Sequence, residues 1–182
     1  GTANVMLGKH ENGSRALEEA LQIYERTETL QSTTGAMLLL NIGVLKQGSE
    51  GSRAALPIFE RARYICEQIG SMQSAAGASI LSNLGVTQGN LGDKAAAVDF
   101  FEKAKGVRLS TGSLKTPEGA QLLFRLGSAQ RQLGRSSAAQ SSFEEAHRIR
   151  VETGTLHTRD GQLLTSALEA AQEAQEVEKR LE

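Results

Sequence analysis

The chain lacks what several common functions require. Its single cysteine, Cys66, excludes an intrachain disulfide and a thiolate zinc cluster, and fits a soluble protein of a reducing compartment. Neither charge sign dominates: 20 Lys and Arg stand against 21 Asp and Glu, a formal net charge of −1, without the basic excess that a nucleic-acid footprint needs. No hydrophobic run approaches the ~18 residues of a membrane span. The longest, Ala36-Met37-Leu38-Leu39-Leu40, makes little more than one turn of helix. No charged-then-apolar leader can be read at the start. Aromatic residues are scarce, at 4% of the chain, and three of the five Phe fall on one recurring position.

That recurrence is what the sequence does have. Gly77, Gly85, Ala97, Phe101 and Ala104 slide back 42 residues onto Gly35, Gly43, Ala55, Phe59 and Ala62. Slid forward by 42, they fall on Gly119, Gly127, Ala139, Phe143 and Ala146, and a further step carries Gly119 to Gly161. Self-similarity at a fixed period of ~20–50 residues is the signature of a repeat array. Nineteen glycines would otherwise suggest flexible linker, but linker glycines have no reason to keep register.

Taken in order, residues 1–30 read as a truncated hairpin, with a Leu7-Gly8-Lys9 turn and a second helix over about 14–28. Opening halfway through a unit suggests a piece of a longer array, or else a degenerate end repeat. Full repeats then cover 33–72, 75–114 and 117–156. Their first helices (A) are expected at about 33–47, 75–89 and 117–132, and their second helices (B) at about 52–69, 94–110 and 136–153. Ser32, Ser74, Thr116 and Thr158 are N-cap residues by type and place. Pro117 suits the first helical position, whereas Pro57 threatens to kink its helix or delay its start. Gly70, Gly112 and Gly154 fit left-handed C-terminal caps, and Met72, Leu114 and Leu156 would plug the gaps between units. Residues 159–181 continue the apolar stripe with Leu164, Leu168, Ala171 and Ala174 but have no second helix, as a C-terminal capping helix would.

Glycine inside a helix costs about 1 kcal/mol relative to alanine. Gly43, Gly85 and Gly127, all inside A helices, therefore imply that the partner helix approaches too closely for a side chain. Ala55, Ala97 and Ala139 would press against that surface, while Phe59, Phe101 and Phe143 bury a ring between hairpins.

Gly, then Ala 12, Phe 16 and Ala 19 places later, with Ile42, Leu84 or Leu126 just before the Gly, is similar to the tetratricopeptide repeat pattern. Departures are the 42-residue unit in place of ~34, Leu39, Leu81 and Leu123 at the Trp place, Lys46, Gln88 and Gln130 at the Tyr place, and no closing Pro. The longer unit resembles the kinesin light chain and nephrocystin type of array. This resemblance implies an all-α, right-handed α-solenoid of stacked antiparallel hairpins whose A helices line a concave groove.

The resemblance also implies a non-catalytic scaffold that binds a peptide or helix of a partner protein. The groove would be lined by Met37, Leu40, Asn41 and Val44, by Ser79, Ser82, Asn83 and Val86, and by Gln121, Phe124, Arg125 and Ser128. Asn41 and Asn83 match the place where kinesin-light-chain-like repeats hold a peptide backbone, and Arg125 departs from it. The lysine of a chaperone-tail carboxylate clamp is replaced by Leu40, Ser82 and Phe124. Two other readings stay open: a permanent structural subunit or assembly factor of a large, possibly organellar or membrane-associated complex, and a regulatory region of a larger enzyme or motor.

No catalytic constellation is legible. His10, His147 and His157 lack the spacing of metal ligands, and Cys66 has only Arg63 nearby to lower its thiol pKa. Gly89-Asn90-Leu91-Gly92-Asp93-Lys94 looks superficially like a phosphate loop, but no strand precedes it. Neither cofactor, metal nor small-molecule substrate is expected.

Overall fold

The computed structural model describes residues 2–181, with side chains at 12–173. Among these residues are eight helices and no strand: α1 (Thr2–Arg26), α2 (Thr33–Ser49), α3 (Ser52–Gln68), α4 (Ala75–Asn90), α5 (Lys94–Ser110), α6 (Pro117–Gln132), α7 (Ser136–Glu152) and α8 (Arg159–Leu181). They form two compact units that divide between Met72 and Gln73.

Each helix A starts on a hydroxyl cap. Ser32, Ser74 and Thr116 accept a hydrogen bond from the backbone N–H of Gly35, Gly77 and Gly119 at 3.1–3.2 Å, and Thr158 does the same for Gly161 at 3.2 Å. At Gly35, Gly119 and Gly161 a side chain would collide with the backbone carbonyl of Leu30, Leu114 or Leu156. The chain turns back so tightly before α2, α6 and α8 that only glycine clears it there.

Each helix B ends on a residue with positive φ: Gly70 at 69°, Gly112 at 68° and Gly154 at 66°. The next residue's N–H reaches back to the last turn, as in Ser71 to Cys66 O and Ser113 to Arg108 O, both at 2.8 Å. These paired bonds satisfy carbonyls that a helix end leaves open. Glu28 holds the same register place at the end of α1, with φ 56°, although it is not glycine.

In the first unit α2 and α3 form a hairpin and α1 packs on α2. Its core includes Leu39, Ile42, Ala55, Phe59, Ala62 and Ile65, all at most 4% exposed. α1 is continuous through Leu7-Gly8-Lys9, where a turn was expected, and it ends at Arg26 rather than near Glu28. A helical Gly costs only about 1 kcal/mol. Lys9, unlike Asp93 at the corresponding turn, has no side-chain acceptor with which to start a new helix. Nor does Pro57 delay α3, which begins at Ser52 on Gly51.

The second unit stacks the hairpins α4–α5 and α6–α7, with α6 against α5 and α8 against α7. Phe101, Leu122, Leu123, Leu126, Phe143 and Ile149 are almost wholly buried. Their burial supplies most of the stabilisation, about 1.5–3 kcal/mol for each large apolar side chain. Several polar side chains inside are paired, although the Arg150 Nε itself makes no hydrogen bond. Ser142 donates to Gln130 Oε1 at 2.8 Å, and Gln130 Nε2 donates to Glu102 at 3.2 Å, tying α5, α6 and α7. Arg150, 4% exposed, donates to the Thr158 hydroxyl at 3.3 Å and pairs with Asp160 at 3.6 Å, pinning α8 to α7. Leu164 of α8 is fully buried.

Candidate functional site

The residues expected on the inner face divide between the two units. In the first, Met37, Asn41 and Val44 recur at steps of four and three along α2 and are exposed, Val44 by 49%. Leu40, expected with them, is buried at 6% exposure and belongs to the core. Its register partner Ser82 is buried too, at 8%, so this helical position turns inward in both A helices. At Phe124 the same position carries a larger ring that stays half-exposed and lies 5.8 Å, centroid to centroid, from Phe143.

In the second unit Val86, Phe124, Arg125 and Ser128 come together around an open cavity of about 280 Å³. Its walls come from α4, from α6 and from the start of α5, whose Ala97 and Phe101 face it. Gly85, Gly89, Asn90, Lys94, Ala129 and Gln132 complete the lining, and the sequence had not assigned them to the groove. Lys94 follows the Gly92-Asp93 turn, and its Nζ donates to the Gly89 carbonyl at 2.6 Å. A signal for it was present in that turn, which fixes where the first side chain of α5 must stand.

Ser79 and Asn83 form a local pair, in which the Asn83 amide donates to the Ser79 carbonyl at 2.9 Å. Asn83 thus spends one donor on its own helix, while Asn41 is exposed. Gln121 lies apart from the cavity and donates to Asp160 at 3.4 Å.

Charge in the cavity has one sign. Arg125 and Lys94 line it, and no carboxylate does. Burial holds the Arg125 guanidinium below its ordinary pKa, with Asp160 pulling the other way. Asp160 is itself engaged by Arg150 and Gln121. Among the described residues no cluster of His, Cys, Asp and Glu could hold a metal ion, and no helix is long and apolar enough to cross a membrane.

Residues 78–110 and 120–150 match the tetratricopeptide repeat family model. No curated protein matches the chain in sequence. Among solved structures, BtubC (BKLC) from P. vanneervenii is similar with a TM-score of 0.72 at 23% identity, over 84% of this chain and 61% of that one. The present chain therefore spans less than two thirds of that protein's length. A kinesin light chain with nearly identical TPR-like repeats from Podosopora anserina gives 0.76 at 15% identity, over 96% and 83% of the two chains. MamA gives 0.55 at 14%, over 98% and 95%. With its capped hairpins, 42-residue register and Gly–Phe contacts, the chain has the fold of a tetratricopeptide repeat array, its matched stretches 78–110 and 120–150 are similar to tetratricopeptide repeats, and its architecture is similar to that of the kinesin light chain repeats.

Proposed function

We propose that the chain is a non-catalytic protein–protein interaction scaffold, and that its second unit holds a peptide or helix of a partner protein in the cavity between α4, α5 and α6. The observation that carries this is the lining itself. Val86 and Phe124 give apolar contact, Ser128 and Asn90 give polar atoms, and Arg125 and Lys94 give charge, all from rigid helices. A concave surface of that mixed chemistry suits a polypeptide segment. In the first unit the exposed stripe of Met37, Asn41 and Val44 is the corresponding face.

Substituting Ser128→Trp would fill the cavity while leaving the Gly–Phe contacts alone. Co-purification from the source cells, read by mass spectrometry, is expected to retain a stoichiometric protein partner with the native chain and to lose it with Ser128→Trp. Equal retention by both, with matching circular dichroism, contradicts the reading.

A further inference from the structure

Arg108 and Arg150 hold the same register place, 42 residues apart, near the ends of α5 and α7. Arg150 is spent inside the fold, on the Thr158 hydroxyl and on Asp160 at the start of α8. Thr116 and Glu118 stand in the corresponding places at the start of α6. Yet among the described residues Arg108 makes no ion pair with Glu118 and no hydrogen bond with Thr116. Its terminal nitrogen donates to the Ser113 carbonyl at a long 3.4 Å, and its Nε is buried without a partner. The guanidinium lines a second cavity, of about 210 Å³, between the end of α5, the turn that follows it and α7.

Lys115 and Arg148 line the same cavity. Lys115 makes no ion pair or hydrogen bond among the described residues, and Arg148 has only the exposed Glu152, at 3.6 Å. Glu145, the one carboxylate on the lining, is held by Lys105 at 2.8 Å. Nor are the last carbonyls of α5 open: those of Val107, Arg108 and Leu109 accept the N–H groups of Thr111, Ser113 and Gly112. Burial holds the Arg108 guanidinium below its ordinary pKa, with Glu118 pulling the other way. An anion placed beside it would relieve that cost. Leu109, Leu114 and Ile149 give the cavity an apolar wall, and Leu109 is 57% exposed.

We propose that this cavity binds a phosphate monoester, with the phosphoryl oxygens on Arg108, Lys115 and Arg148 and the apolar group that carries them on Leu109 and Leu114. A phosphoryl group brings nearly two negative charges and three strong acceptor oxygens, which three cations can answer. A carboxylate would leave most of those donors unused. The volume is below the ~300 Å³ from which pockets for drug-sized ligands start, so the site seats the phosphoryl group and a ring-sized neighbour rather than a whole nucleotide. It shares no lining residue with the cavity between α4, α5 and α6 and stands independently of the reading given to that one.

The test is calorimetric titration of the full 182-residue chain with phenyl phosphate and with inorganic phosphate. Phenyl phosphate is expected to bind saturably at one site, and inorganic phosphate about tenfold more weakly for want of the apolar contact. Arg108→Gln should weaken phenyl phosphate by about tenfold or more, as loss of a charge-assisted hydrogen bond requires. Lys103→Gln, on an exposed side of α5, should leave it unchanged. A phosphotyrosine peptide separates the two sources of the group. Tighter binding than phenyl phosphate supports a modified side chain, and equal or weaker binding supports a free ester. The comparison of ligands uses the native protein, so it stands even where a variant folds poorly. No saturable binding of either phosphate, equal binding of the two, or binding undiminished in a folded Arg108→Gln chain would overturn the assignment.

Discussion

The Phe101 ring stands in the space that a side chain at Gly85 would need: a methyl added there would lie 2.6 Å from Cε1, and the ring itself is only 3% exposed. Phe143 and Gly127 repeat the relationship at the same 2.6 Å, and Phe59 repeats it with Gly43. A buried ring cannot step aside without disturbing its neighbours.

Gly85→Ala is therefore expected to destabilise the chain by about 1–3 kcal/mol through overpacking. This runs against helix propensity, which favours alanine by about 1 kcal/mol. Gly106, also inside a helix, has open space where its side chain would be. Gly106→Ala should stabilise by up to about 1 kcal/mol. Urea unfolding of the pair separates the two effects by sign.

Ser142→Ala removes the donor to the buried Gln130 carbonyl and should cost about 1–3 kcal/mol. Combining it with Gln130→Leu removes the unsatisfied acceptor as well. The double variant is expected to be more stable than Ser142→Ala alone, so that the two substitutions are strongly non-additive in thermal melts.

Pro57 is exposed inside α3, where it has no N–H to give the preceding turn. Pro57→Ala should stabilise the first unit by about 2–3 kcal/mol, less whatever the proline saves in unfolded-chain entropy. Amide hydrogen exchange along α3 would report the gain locally. An unchanged midpoint and exchange pattern would show that the surrounding packing already absorbs the missing bond.

Residues recurring at a strict interval made much of this architecture legible, because each repeat must solve the same packing problem with the same side chain. Gly43, Gly85 and Gly127 could be recognised as contact points, but not the atoms that come nearest to them. The ring of the Phe 16 places later needs the room, joined at Gly127 by the Ala139 carbonyl 3.0 Å from where a Cβ would stand. Spacing along one helix says which face a residue is on, not which atom of the partner reaches it. The glycines at 35, 119 and 161 kept register for a reason no side-chain pattern reveals, a backbone carbonyl folded over them. The supposed turn at Leu7-Gly8-Lys9 failed because similarity to a turn lacks force without the capping acceptor that Asp93 provides. On the inner face, Leu40 was assigned to the surface by its register, yet the neighbouring packing takes it inside. Lys94 went unassigned because its part in the cavity depends on where α4 and α6 stand beside it.

The central claim is that the face carrying Ser128 holds another polypeptide. A photo-reactive benzoylphenylalanine placed at Ser128, on the cavity wall, can be compared in the source cells with one at Lys103, on an exposed side of α5. The account predicts a discrete cross-linked protein adduct from position 128 and none from position 103. Adducts from position 103 alone, or from neither position while the chain still co-purifies with a partner, would contradict it.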